Sequence, residues 1–256
     1  MIFQTLSSVT LSSVTLLSVT LLSVTLVLIP ALPARAQSGH AQAVELWVNQ
    51  LRGQRGLPAL QLDPFLRRAA ADYGRELAGA GVLSHVDQRG GRALDRLHAH
   101  GDTASLVGEI LGSGADLQLL IPAWENSLSH RDVLANPLWT HCGAAAVPHA
   151  DTMIWVILFA SRRIDPLDIS ASKDGYRVCG RLRSLEAEEP VLLSGTRNIV
   201  PQRWDPPTRE FCFIIPAERG AIYHRLGYRS EGGALVVTDT FFPDRYATSD
   251  RAEELR

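Results

Sequence analysis

The sequence has no surplus of charge of one sign. Its 25 basic side chains face 27 acidic ones, for a formal net charge of −2. The clustered basic excess of a nucleic-acid binder is therefore missing, and nucleic acid is excluded as a partner. Cysteine is scarce, with only Cys142, Cys179 and Cys212. None forms a C-x-x-C pair, so the thiolate spacing of a structural zinc site is absent. The N-terminus lacks a cationic start, since Met1-Ile2-Phe3-Gln4 carries neither Lys nor Arg.

After that start the chain runs apolar, in pentads such as Thr5-Leu6-Ser7-Ser8-Val9 and Thr10-Leu11-Ser12-Ser13-Val14. The run ends in Val27-Leu28-Ile29-Pro30, then Ala34-Arg35-Ala36, an A-x-A cleavage pattern. Residues 1–36 are expected to be a signal peptide, cut after Ala36, with a duplicated apolar centre. The competing reading is an uncleaved anchor, because the run is long enough to cross a bilayer. Cleavage would leave no stable transmembrane anchor and a secreted or periplasmic protein. Such a compartment is oxidising, so disulfides persist there. Cys179 and Cys212 fall in one C-terminal segment and are the expected pair. Cys142 is expected to be a buried apolar residue.

The stretch 42–161 reads as α/β. Val44, Trp47, Val48 and Leu51 recur at helical spacing. Asp63-Pro64 supplies an N-cap and a first-turn proline for a second helix, with Leu66, Ala70, Tyr73 and Leu77 as its apolar stripe. A loop carries Ser84-His85-Val86-Asp87 before a short helix over 93–100. Residues 108–112, with a glycine at each end, read as a turn-bounded loop. A helix over about 117–128 is expected to turn Leu117, Leu120, Ile121, Trp124 and Leu128 inward. Strands are expected next over 142–147 and 153–159, the second nearly all apolar, as a strand covered on both faces requires. Residues 162–175 read as a linker. Residues 176–246 then form a β-rich domain, with strands expected over 176–182, 191–193, 211–215, 222–228 and 234–241. Gly232-Gly233 would turn the last hairpin. Five or more short strands suggest a small sandwich or barrel. Arg177 and Arg181 alternate with apolar residues and are expected on its solvent face.

The order of motifs in the first domain resembles the bacterial branch of the CAP superfamily, also called the SCP domain. Asn49-Gln50-Leu51-Arg52 before Gly56-Leu57-Pro58-Ala59-Leu60 is similar to the family's N-x-x-R helix and G-L-x-x-L. Ala69-Ala70-Ala71-Asp72-Tyr73 resembles its alanine-rich helix, Ser84-His85 its S-H, and Arg96 its short arginine-bearing helix. Gly108-Glu109 resembles the start of G-E-N, and 124–134 the W-x-x-S-x-x-H-R-x-x-L element. Gly143 falls where a glycine opens the penultimate strand. The resemblance implies an α-β-α sandwich, succeeded here by a small all-β domain. It also implies a cleft where His85, Glu109 and His130 meet, the histidines binding a divalent metal, usually Zn²⁺, in some members. Two departures stand out. The asparagine of G-E-N is Ile110, and the second cleft acid of many eukaryotic members is Ser127. Glu125 lies next door, but two residues on a helix diverge by about 200°.

Two imidazoles and a carboxylate suit Zn²⁺ with open positions for water or substrate. Alternatively, Glu109 only orients the loop of His85. Ser127 and His130 lie three apart and would face each other on a continuous helix, which raises a Ser/His nucleophile. No G-x-S-x-G elbow surrounds Ser127, however, and no acid stands behind His130. The ligand-cleft set is thus His85, Glu109, Ser127 and His130. The metal candidates are His85 and His130, and the catalytic candidates Ser127 and His130. The function expected is a secreted binding or interaction module whose cleft takes an extracellular or envelope ligand, lipid or polysaccharide. The alternative is a metal-assisted or Ser/His hydrolase of an extracellular polymer or ester.

Overall fold

The computed structural model describes residues 34–183, 187–216 and 223–245. The pentad run and most of the expected signal peptide lie outside them. Residues 34–36 open the first helix, α1 (Ala34–Gln54). No helix among the described residues is long and apolar enough to cross a membrane.

The first half is three layers. Its sheet has the order β1-β3-β4-β2, from β1 (Gln61–Leu62), β2 (Val107–Gly114), β3 (His141–His149) and β4 (Thr152–Ala160). β1 runs parallel to β3, and the other pairs are antiparallel. Alternation along β4 divides the core. Trp155, Ile157 and Phe159 pack with Val44 and Val48 of α1, while Ile154, Val156 and Leu158 pack with α2 (Pro64–Ala80). α3 (Ala93–Ala99) joins α2 on its side through Ala93 and Leu97. α4 (Leu117–Asn126) and α5 (Leu128–Leu134) join α1 through Trp124 and Leu134. This is an α-β-α sandwich.

Local chemistry explains these elements. Asp63 caps α2 by accepting from Phe65 N–H (2.8 Å) and Leu66 N–H (3.3 Å), with Pro64 in the first turn. Asn49 clamps the next stretch of chain at Leu60, donating to its carbonyl (3.1 Å) and accepting from its N–H (2.8 Å). Arg52, fully buried, donates to the carbonyls of Pro58, Leu134 and Asn136 at 3.0–3.1 Å. Burial holds its pKa below the usual arginine value. Gly143 is required by the closeness of α2, because a Cβ there would lie 2.4 Å from the backbone nitrogen of Arg67.

Three expectations fail. Residues 108–112 are not a loop but the middle of β2, paired with β4 from Val107–Ala160 to Gly114–Met153. The glycines make room for indoles. A Cβ on Gly108 would lie 2.6 Å from Trp139, and one on Gly112 would lie 2.6 Å from Trp124. Leu128 is not inward but 67% exposed, because the helix ends at Asn126 and restarts after Ser127. The expected linker holds a strand, β5 (Ile164–Ser172), paired with β6 (Gly175–Leu182).

The second half holds two antiparallel four-stranded sheets around one core. The first has the order β5-β6-β10-β9, with β9 (Arg203–Asp205) and β10 (Glu210–Pro216). The second has the order β12-β11-β7-β8, from β7 (Ala187–Ser194), β8 (Arg197–Ile199), β11 (His224–Ser230) and β12 (Leu235–Phe241). Val178, Phe211 and Phe213 of one meet Leu192, Leu226 and Phe241 of the other. Cys179 and Cys212 face each other across β6 and β10 and are disulfide-bonded. Arg177 and Arg181 are exposed beside them. Cys142 is buried, and burial pushes its thiol pKa up to about 12, so it stays unreactive.

The two halves are hydrogen-bonded together. Thr103–Ser105, just before β2, run antiparallel to β12: Thr240 N–H donates to the Thr103 carbonyl (2.7 Å) and Ser105 N–H to the Thr238 carbonyl (2.9 Å). Arg162, at the end of β4, grips Asp102 through two nitrogens (3.1 and 2.6 Å) and Asp63 through a third (2.8 Å). Burial alone would lower the Arg162 pKa, but the two carboxylates carry it above the usual value. Asp239 is buried next to this cluster. Loss of solvent raises its pKa to about 6, against hydrogen bonds from Thr103 and Thr238.

Candidate functional site

Glu109 comes from the edge strand β2, and strand alternation turns it away from Ile110, which is fully buried in the α1/α4/α5 core. The departure at Ile110 therefore falls in apolar packing rather than on the cleft side. The Glu109 side chain is only 5% exposed. Its Oε1 accepts from His85 Nδ1 (2.8 Å), and its Oε2 pairs with Arg96 Nη2. Burial raises the Glu109 pKa, and the charges of Arg96 and His85 oppose that rise.

Arg96 is the hub to which the sequence assigned no role. Its guanidinium lies 3.4 Å from the centre of the Tyr73 ring. It also donates to the carbonyls of Gly91 (3.1 Å) and His85 (3.4 Å). Tyr73, expected only as core, donates its hydroxyl to the Ser84 carbonyl beside His85. Its phenol pKa is pushed to about 12, chiefly by burial. One arginine and one tyrosine thus fix both ends of the Ser84-His85 loop. The signal for Arg96 was its place in the short family-like helix; nothing in the sequence marked its pairing with Glu109.

His85 remains half exposed, with Nε2 uncommitted among the described hydrogen bonds. His130, on α5, is near enough to His85 for their charges to interact. Burial first, and His85 second, lower its pKa, favouring the neutral ring. Its Nδ1 is buried without a hydrogen-bond partner among the described residues. The structure thus brings His85 and Glu109 into contact and His130 into their vicinity.

Ser127 makes no hydrogen bond to His130 among the described residues. It sits in extended backbone (φ −81°, ψ 126°) between α4 and α5, and its hydroxyl bonds Ser129 Oγ (3.1 Å). The continuous helix expected through Ser127 is broken there. Glu125 accepts a hydrogen bond from Trp47 Nε1 (3.3 Å), and Trp47 stacks on Trp124. That ties α4 to α1 and gives Glu125 a packing role.

The donor set does not make a three-ligand metal centre. Both oxygens of Glu109 are already bound by His85 and Arg96. No group of three or more His, Cys, Asp or Glu among the described residues could hold an ion. Hydrolytic zinc sites use three protein ligands. A cavity of about 890 Å³ lies beside Tyr73 and Arg96, with Asp72, Glu76, Asp87 and Asp95 on its walls. His85, Glu109 and His130 are not among its lining residues.

Comparison with known proteins agrees with this architecture. The model of the family described as "CAP: Cysteine-rich secretory protein family" matches residues 47–159. An uncharacterised protein of Borreliella burgdorferi is 30% identical over 117 residues, 45% of this chain and 75% of that protein. This chain belongs to the CAP family. The uncharacterised protein YkwD of Bacillus subtilis is 27% identical over 131 residues, 51% of this chain and 50% of its own length. Among solved structures, an outer surface protein of Borrelia burgdorferi is 29% identical, with a TM-score of 0.45 over 47% of this chain and 91% of its own.

Proposed function

We propose that this protein is an exported binding or interaction module whose CAP cleft contacts an envelope or extracellular ligand through His85 and His130, with Glu109 holding His85 in place. The observation that carries the reading is the pairing of buried, doubly bonded Glu109 with half-exposed His85. A carboxylate spent on orientation leaves the imidazole as the group that meets the ligand. Neutral His130 beside it supplies a second ring nitrogen and an apolar ring face. Two features support export: the A-x-A pattern that closes the N-terminal apolar run, and the Cys179–Cys212 disulfide, a bond that persists in oxidising compartments.

A divalent cation held weakly by the two imidazoles is the second reading. It is favoured by the His85 Nδ1–Glu109 bond, since a carboxylate on the far nitrogen is how metal-bound histidines are oriented. Bound there, the ion would present open positions to ligand oxygens.

The test is co-sedimentation of the full chain with insoluble cell-wall polysaccharide and with lipid vesicles, with and without added Zn²⁺. Binding to one of these that is lost in His85→Ala/His130→Ala supports the module. Steady release of soluble fragments or free acid by the wild type, abolished in the same variant, would overturn it in favour of a hydrolase.

A further inference from the structure

A second cavity, of about 780 Å³, opens where the two halves of the chain meet. That volume is within the range of about 300–1,000 Å³ typical of small-molecule sites. Leu106, just before β2, and Leu138, after α5, contribute from the CAP half; Tyr228 on β11 and Val236 on β12 contribute from the β half. Leu106 is 36% and Leu138 51% exposed, so apolar surface is open to solvent here. The strand pairing of Thr103–Ser105 with β12 fixes the two sides of the cavity relative to each other.

Its charge is one-sided. Arg163 and Arg183 line it, and no carboxylate among the described residues does. Arg183 pairs with Asp165 behind it. Arg163 donates to the Leu138 carbonyl (3.2 Å) and has no carboxylate partner among the described residues. Among the described residues, two guanidinium groups against one carboxylate leave a single positive charge beside an apolar surface.

We propose that this seam binds a single-chain monocarboxylate amphiphile, such as a fatty acid. The alkyl chain lies along Leu106, Leu138 and Val236, and the carboxylate meets the Arg163 fork, whose geometry suits bidentate recognition. The site is separate from the His85 cleft, and it exists only because the β half is docked on the CAP half.

Calorimetric titration of the full chain with dodecanoate tests this, with butyrate and dodecanol as chain-less and charge-less controls. The expected result is one saturable site per chain, with dodecanoate at least tenfold tighter than either control. Arg163→Gln should weaken it at least fivefold, and Leu138→Asp, at an exposed position, should abolish it with the fold intact by circular dichroism. The His85→Ala/His130→Ala variant should bind as the wild type does. No saturable binding, equal binding of dodecanol, indifference to Arg163→Gln, or loss in the histidine variant would each overturn the proposal.

Discussion

The Arg96 guanidinium lies 3.4 Å from the centre of the Tyr73 ring, and that stacking holds it in place to pair with Glu109. Removing the cation should therefore strand a buried carboxylate. Arg96→Leu is expected to cost about 3 kcal/mol at pH 7, as loss of one partner of a buried pair does. The sign with pH comes from Glu109, whose folded pKa is already raised by burial and would rise further without Arg96. The loss is largest where Glu109 is charged and shrinks as acidification neutralises it. Urea denaturation at pH 7 and pH 4.5 measures both.

Asp239 should give the junction of the two halves its own pH dependence. Its folded pKa, about 6, stands above the usual carboxylate value because it is buried. A group with a raised folded pKa favours the folded state below its unfolded pKa and loses that contribution as pH rises through the folded one. The window is therefore about pH 4 to 6, bounded by the unfolded and folded pKa values. Asp239→Asn removes the ionisation, so the stability of the variant minus that of the wild type should grow across this window. The size is on the order of 3 kcal/mol if no other group compensates. Paired thermal melts of the two proteins every half pH unit show the divergence or its absence.

Gly143→Ala should destabilise by about 1–3 kcal/mol, the usual range for overpacking. The new methyl would meet rigid helix backbone at Arg67 and Leu66 rather than a mobile side chain. Gly232→Ala, where nothing lies within 4 Å, is the matched control and should change stability by less than about 0.5 kcal/mol. Chemical denaturation of the pair gives the comparison.

Ser127→Ala should leave stability within about 0.5 kcal/mol of the wild type, because it removes only the hydroxyl contact with Ser129. No fluorophosphonate label should attach at Ser127 in the wild type. Peptide mass spectrometry after labelling reads this directly, and a Ser127 adduct would revive the nucleophile reading.

Much of the CAP half was legible because its signals are local. The stripe Leu66, Ala70, Tyr73, Leu77 and the Asp63-Pro64 cap lie along one helix, each about a turn from the next. Glu109 was singled out but put on a loop, because the indoles that demand Gly108 and Gly112 come from Trp139 and Trp124, distant in sequence. The break at Ser127 was also hidden, since Leu128 continues an apolar spacing that the backbone does not obey. The clasp between Thr103 and Asp239 joins residues 136 positions apart, and no periodicity or motif could announce it. Cys179 and Cys212 could be paired from the sequence because three cysteines leave few choices and both lie in the β half.

The proposed role of the cleft depends on Glu109 fixing His85 with its outer nitrogen free. The most direct measurement is the imidazole nitrogen NMR spectrum of the folded full chain near pH 7.5, for wild type and Glu109→Ala. For the neutral ring, the expected result is that His85 carries its proton on Nδ1, facing Glu109, with a return to a mixed tautomer population in the variant. An Nε2–H form of His85, or a tautomer indifferent to the loss of Glu109, would contradict that role.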